Sequence, residues 1–511
     1  MTDPTTALPT WLAPLLLPEE LRASDAYAIE DRGIAGIELM ERAGAALARV
    51  AAAVLPTGRI AVVCGPGNNG GDGFIAGRVL RELGRDVVVL TTRPVDAYRG
   101  DAAIALERLG PAPVPFASGD DGKALRGAAG VIDALLGTGV TGAPHGVELD
   151  AVRAMEASGV PVVACDLPSG IDAATGAVAG EAIRAVATVT FHRPSPGHLV
   201  HPAKDHVGAL HVADIGIPAG TPVTPSIGAL TDRAVRALPT RSADSHKYAA
   251  GAVVVLAGGA KYPGAGVLAV RGAQRGGAGY VTAVVSEAAV GLVRGAAPEA
   301  IVQPFPDRDL ESALADLLGR RADGVVVGPG LGDDEHAEAL VHAALGSDRP
   351  VVLDADGLAP FAGDPERLRR DAPLVLTPHA GELGRLLDRT SSEIGAGRLD
   401  AAREASRRSG AVVVLKGDDT IIATPDGVVA INDLSAPALA TAGTGDVLAG
   451  ATGAALASGV DPFLAACAAV RLHARAGHLA ARRAGTADGI VAWDIAELLP
   501  AARAASGPAR G

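Results

Sequence analysis

Ile60-Ala-Val-Val-Cys-Gly-Pro-Gly-Asn-Asn-Gly-Gly-Asp-Gly-Phe-Ile-Ala-Gly-Arg-Val-Leu-Arg-Glu-Leu83 decides the fold class. A short β-branched run ends in a glycine-rich turn and passes at once into a segment of helical length. That is the opening unit of a parallel sheet with crossover helices, an α/β plan. Downstream, DVVVL (86–90), GVIDAL (130–135) and VPVVACDL (160–167) repeat the strand signal, with Ala-rich stretches between them. Upstream, a helix is predicted over roughly Arg22 to Val54, its acidic, apolar and Ala-rich faces suited to packing or to an oligomer surface.

After the strand-like ALHVADIGIP (209–218), the chain becomes rich in Pro, Gly and Thr and loses periodicity, which marks a linker near Gly220 to Ser226. The second half, beginning at His246-Lys-Tyr248, resumes the alternation with AVVVLAG, GYVTAVV, GVVVGPG, PVVLDAD, PLVLTP and AVVVLKG. Two α/β domains are predicted, residues 1–222 and 227–511. The halves share no fixed sequence period, so a solenoid is not supported. The tail after Pro500 reads as frayed.

At 511 residues the chain is too long for one ordinary core. Apolar residues make up 48% and charged residues 20%, which fits buried α/β layers rather than disorder. With 45 basic against 58 acidic residues the net charge is −13, and no basic cluster offers a nucleic acid a footprint. An anionic ligand must therefore be held by local amides, helix starts and a few cations. Cys64, Cys165 and Cys467 are odd in number and lack a CxxC spacing, so neither a disulfide framework nor structural zinc is expected, and a reducing cytoplasm fits. The apolar patch Trp11 to Leu17 has no basic region before it and is too short and Pro-broken for a membrane span. No membrane association and no export are expected.

Three strand ends carry polar loops. Gly65, Gly67 and Gly70 match the dinucleotide-binding spacing, but the next strand ends in Thr91-Thr92-Arg93 without the ribose-binding carboxylate, which argues against an ordinary NAD-dependent dehydrogenase. Asn68, Asn69 and Asp72 add polar groups to that loop. Asp133 precedes a second Gly-rich loop, and Asp166, Ser169 and Asp172 lie in a third. Oxygen ligands of this kind suit a hard cation, the glycines suit a diphosphate, and an aspartate could move a proton. Each Asp or Ser could instead cap a helix or turn.

The second half has Gly258-Gly259 and Tyr262-Pro-Gly-Ala-Gly266 after its first strand, and Gly328, Gly330 and Gly332 after another. Asp354 and Asp356, His379 and Glu382, and Lys416 follow further strands. Thr441-Ala-Gly-Thr-Gly-Asp446 then opens a small-residue helix: free N–H groups at its start suit a phosphate, and Asp446 is a candidate base. His379 could be a satisfied loop histidine, Glu382 a cap and Lys416 a solvent-seeking side chain.

GPGNNGGDG (65–73), DALLGTGVTG (133–142) and CDLPSGIDAATG (165–176) resemble the motifs of the NAD(P)H-hydrate epimerase family, over about Trp11 to Ile217. The resemblance implies a Rossmann-like three-layer domain in which Asn68, Asn69, Gly70, Gly71, Asp72, Gly137, Thr138, Gly139, Val140, Thr141, Gly142 and Asp166 contact the hydrated dinucleotide. It further implies potassium on Asn69, Asp133 and Ser169, with Asp166 as acid/base. LTPHAGEL (376–383), LKGDDT (415–420) and TAGTGDVLAG (441–450) resemble the ribokinase-like superfamily and, within it, the ADP-dependent NAD(P)H-hydrate dehydratases, over about Gly228 to Pro500. Here the implied nucleotide contacts are Lys416, Gly417, Asp418, Asp419, Thr420 and Gly445. The implied hydrate contacts are Ala265, Gly330, His379 and Asp446, with Asp446 as catalytic base, ADP as co-substrate and Mg2+ as cofactor. A cytoplasmic homo-oligomer is implied as well.

The chain departs from the commonest pattern at Ala442, which stands where relatives carry glycine and fits only with φ below zero. It departs also at Ser435-Ala-Pro. Two alternatives remain open from the residues: a small-molecule, vitamin-precursor kinase with an accessory domain in front, or a first domain that is only a nucleotide sensor.

Overall fold

The computed structural model describes residues 8–116, 123–241, 250–306 and 310–507; His246-Lys-Tyr248 lies outside them. Contacts divide the chain into two compact units, Pro14–Pro225 and Ser226–Gly511, with Met1–Ala13 grouped with the second. Leu8 to Ala13, expected with the first domain, therefore group with the other unit.

In the unit Pro14–Pro225, seven strands run in the order Val114–Pro115, Val87–Thr91, Arg59–Cys64, Ala128–Ala134, Val162–Cys165, Ala187–Phe191, Ala209–Ala213, each pair parallel. Successive side chains of a strand point to opposite faces. Ile60, Val62 and Cys64 accordingly join one apolar cluster with Leu47 and Phe74, while Ala61 and Val63 join another with Val152 and Met155. Both faces are covered by helices, which makes three layers and explains why the strands read as apolar runs. Strand order reverses between Arg59–Cys64 and Ala128–Ala134, the switch point where open α/β sheets bind ligands.

The single helix expected over Arg22 to Val54 is two, Pro18–Ala26 and Gly36–Val54. A π-helical turn, Tyr27–Asp31, and the left-handed Gly33 (φ +70°) separate them. Arg32 Nε donates to Tyr27 Oη across the break, at 2.7 Å. The break lets the first helix bring Asp25 to the cavity described below.

In the other unit eleven strands form one sheet, ordered Leu12–Leu15, Ile227–Leu230, Val429–Ile431, Ile421–Ala423, Val412–Leu415, Leu374–Leu376, Val351–Leu353, Gly324–Val327, Ala252–Leu256, Tyr280–Val285, Ile301–Pro304. The run from Val412–Leu415 to Ile301–Pro304 is parallel. The apolar patch at Trp11 to Leu17 thus includes a sheet-edge strand, and Trp11 packs on Phe463 with tilted rings, centroids 5.3 Å apart. Helix Thr444–Ala457 is buried from Val447 onward. Its small side chains let it pack closely on helix Pro263–Gly276, as the contact-limiting Gly272 and Gly450 require. The tail expected to fray after Pro500 is helical, Ala492–Ala505, with Pro500 inside. Among the described residues no helix is long and apolar enough to cross a membrane.

Candidate active sites

At the switch point of the first sheet lies a cavity of about 480 Å³ lined by Asn68, Asn69, Asp72, Gly137, Thr138, Gly139, Val140 and Asp166. Three strand ends converge there. A methyl group added at Gly137 would stand 3.0 Å from Asp166 Oδ2 and 3.4 Å from Asn69 Oδ1, so this backbone passes between the two side chains. Gly70 and Gly71 instead face protein, against the Gly65 carbonyl and Met40 Sδ. Thr141 and Gly142 are exposed and outside the lining.

Asp166 has a left-handed backbone (φ +65°), a conformation that Asp tolerates better than most residues. Its carboxylate accepts from Thr138 N (2.9 Å) and Thr190 Oγ1 (3.2 Å). Buried His198 secures the main chain: Nδ1 lies 3.0 Å from Ser195 N, and Nε2 donates to the Asp166 carbonyl (2.8 Å). Asp72 is buried, and burial first, then the charges of Asp166 and Asp25, push its pKa well up. Asp25 opens onto the same cavity and is raised to about 6, again by desolvation first and Asp166 second.

Asp133 is fully buried and bound to Ser169: Oδ2 accepts from Ser169 N (2.8 Å) and Oδ1 from Ser169 Oγ (2.7 Å). Burial outweighs these bonds and raises its pKa to about 6. The Asn69 amide is buried, and among the described residues neither its oxygen nor its nitrogen has a partner. Asp172 caps its own turn, accepting from Ala174 N, Thr175 N and Thr175 Oγ1. Sequence reading missed Asp25 and His198. Nothing local separates Asp25 from the other carboxylates of its segment, and His198 acts through a bond spanning 32 residues.

In the other unit, Asp354 is buried at the end of strand Val351–Leu353. Lys416 Nζ donates to its Oδ1 (2.8 Å), as does Thr377 Oγ1 (2.7 Å), and Glu382 Oε2 lies 3.6 Å from the ammonium. Burial works against the charge on Lys416, but Asp354 and Glu382 outweigh it and its pKa is raised. Lys416 is therefore held in the site rather than drawn to solvent. Asp446 is pushed up to about 7, by burial first and by the charge of Asp354 second, against the opposing pull of Lys416.

His379 caps helix Ala380–Leu387: Nδ1 accepts from Gly381 N (2.9 Å) and Glu382 N (3.2 Å), while Glu382 accepts from His379 N (2.7 Å). The capping roles weighed for both residues are real, and they leave His379 Nε2 3.3 Å from Glu382. Gly330 abuts Ala265, since a methyl at Gly330 would stand 2.7 Å from Ala265 Cβ. Gly332 N donates to Asp356 Oδ2 (2.8 Å), tying this loop to the next strand end.

Gly328 matters most for the backbone. At φ +121° a methyl there would meet the Asp354 carbonyl oxygen at 1.8 Å. Gly328→Ala is expected to destabilise this unit by about 3 kcal/mol or more, because backbone must move as well as change conformation. A denaturant midpoint equal to that of the unsubstituted chain would contradict this.

Beside Lys416 lies a cavity of about 270 Å³ lined by Gly417, Asp418, Thr420, Thr444 and Gly445 together with apolar side chains. Asp419 is not in its lining. It is buried in a bidentate pair with Arg398 (Nε to Oδ2 2.9 Å, Nη2 to Oδ1 2.8 Å), which holds the loop from below. Asp418 accepts from Ser435 Oγ (2.8 Å), so the unusual Ser435-Ala-Pro loop is fastened to the nucleotide-type motif. The left-handed residue of the Thr441–Asp446 turn is Gly443 (φ +88°), and Ala442 is not among the positive-φ residues. Alanine therefore fits there without strain.

A sheet that delivers a helix start, a carboxylate-paired ammonium and a raised aspartate to one edge defines a phosphoryl-transferring α/β enzyme, and this chain joins it to a second α/β unit with its own polar cavity. Residues 253–501 match the family described as NAD(P)H-hydrate dehydratase, and residues 36–197 that described as YjeF-related protein N-terminus. The bifunctional NAD(P)H-hydrate repair enzyme Nnr of Thermofilum pendens is 38% identical over 501 residues, covering 94% of this chain and 95% of that one. Its counterpart of the same name in Moorella thermoacetica is 38% identical over 513 residues, covering 95% and 96%. The ADP/ATP-dependent NAD(P)H-hydrate dehydratase of Bacillus subtilis, co-crystallised with ATP/Mg2+, is 34% identical with a TM-score of 0.49, covering 55% of this chain and 98% of that one. The chain belongs to the family of bifunctional NAD(P)H-hydrate repair enzymes. That membership sets aside both the vitamin-precursor kinase and the non-catalytic sensor.

Proposed function

We propose that the unit Pro14–Pro225 interconverts the two epimers of hydrated NADH or NADPH, and that the unit Ser226–Gly511 dehydrates one of them at the expense of ADP. The observation that carries the second activity is the set of Lys416, Asp354 and a raised Asp446 at one helix start. Asp446 removes the proton of the hydroxyl on the nicotinamide ring, and that oxygen attacks the β-phosphorus of ADP, releasing AMP. The start of helix Thr444–Ala457 and Lys416 stabilise the negative charge that develops. Phosphate then leaves the ring carbon and a ring proton is lost, restoring the double bond of NAD(P)H. Phosphorylation turns a poor leaving group into a good one, which is the chemical reason for consuming a nucleotide.

Among the described residues no group of three or more His, Cys, Asp or Glu could hold a metal ion. A magnesium ion carried by the nucleotide's phosphates would have Asp354 and Glu382 as nearby carboxylates. Bound there, the ion would neutralise phosphate charge.

In the first unit, Asp166 accepts the hydroxyl proton of the hydrate. The ring C–N bond opens to a carbonyl and recloses on the opposite face, and the proton returns. The orphaned Asn69 amide, with Asp133 and Ser169, supplies hard oxygen donors suited to potassium. Bound there, the ion would supply positive charge toward the dinucleotide's phosphates.

The test follows NADH absorbance from a mixture of both hydrate epimers with ADP. Full recovery supports both activities, whereas phosphorylated product accumulating without NADH would refute the dehydration. A pH profile adds a sign. Protonated Asp446 cannot take a proton, so kcat/KM for dehydration is expected to rise through about pH 7 and level above it. A rate that falls across that interval would remove Asp446 as base.

A further inference from the structure

His473 lies within helix Pro462–Ala484 and is 6% exposed. It lines the cavity beside Lys416, next to the glycine-rich helix start. Its ring bonds the backbone of Thr444, and its Nε2 is buried without a hydrogen-bond partner among the described residues. The bond to Thr444 therefore runs through Nδ1, as a donor to the carbonyl. Burial lowers the imidazole pKa to about 4, so the ring is neutral at physiological pH and Nε2 carries a bare lone pair. A buried acceptor left unpaired destabilises the empty site, a cost that a ligand's N–H or O–H would remove. The cavity lining includes the apolar side chains of Leu434, Pro437, Leu439, Leu448 and Val470, suited to a flat ring. Lys416 and Gly445, the groups that would take phosphate, line the same cavity.

We propose that His473 is a base-specificity residue: its Nε2 accepts a hydrogen bond from the exocyclic amine of adenine. This rests on the reading of the cavity as the ADP site. A nucleotide with a carbonyl at that ring position would set lone pair against lone pair, so hypoxanthine and guanine are rejected. A ribose hydroxyl is the other donor that a nucleotide could offer, and the test separates the two.

The experiment measures calorimetric Kd values on the full chain for ADP, IDP, purine riboside diphosphate, 2′-deoxy-ADP and 3′-deoxy-ADP, with and without His473→Leu. IDP and purine riboside diphosphate are each expected to bind the unsubstituted chain on the order of tenfold to a hundredfold more weakly than ADP. Those ratios should collapse toward one in His473→Leu, while the deoxy-nucleotide ratios stay constant. Unchanged base ratios, or collapse of a deoxy ratio instead, would overturn the assignment while leaving the ADP site standing. Equal binding of ADP, IDP and purine riboside diphosphate by the unsubstituted chain overturns it without any variant. Failure of ADP to bind at all would overturn the site and this inference together.

Discussion

Asp446→Asn is expected to lower ADP-dependent recovery of NADH by about 10³-fold or more while leaving the fold and ADP binding intact. Asn keeps the shape of the side chain and removes only its capacity to accept a proton. The protein already holds the carboxylate against its charge, with a pKa near 7 produced by burial and by Asp354, so a neutral amide relieves rather than adds strain. Lys416 remains fixed by Asp354 and Thr444 still anchors the turn through the carbonyls of Leu439 and Thr441. The loss should therefore appear in kcat, with the thermal midpoint unchanged or raised. A kcat within tenfold of the unsubstituted chain would show that another group, or bulk water, takes the hydroxyl proton.

Asp166→Asn is expected to slow epimer exchange by about 10²- to 10⁴-fold and to leave dehydration of the correct epimer untouched. The left-handed backbone at this position is one that Asn adopts as readily as Asp, and the bond from His198 goes to the main chain, so both survive the change. Starting from mixed epimers with ADP, the variant should release NADH quickly from one epimer and then stall at the spontaneous rate of exchange. Complete conversion at the unsubstituted rate would place the acid/base function elsewhere, with Asp72 and Asp25 as the nearest carboxylates. Because the two variants strike different steps, mixing them in one solution should restore repair.

Much of both sites was legible because parallel α/β sheets put function at strand ends. Asn68, Asn69, Asp72, Gly137 to Val140 and Asp166 could each be placed at the carboxyl end of a strand and do line one cavity. Lys416, Gly417, Asp418, Thr420 and Gly445 were legible in the same way. Asp419 shows the limit. Its motif looks uniform in sequence, yet alternate residues of a tight loop point opposite ways, and Arg398 on a preceding helix takes that carboxylate. His473 carries no local signal either, since one histidine on an apolar helix face reads as core.

Periodicity and turn chemistry, both properties of neighbouring residues, determined by themselves that this chain is built of two α/β plans with glycine-rich loops at their strand ends. The tertiary structure alone decided which carboxylates share a cavity, which ammonium lies between them, and which nitrogen of His473 is left without a partner. Those outcomes depend on groups tens to hundreds of residues apart being desolvated together. Desolvation and Coulomb attraction act through space, where sequence separation has no bearing.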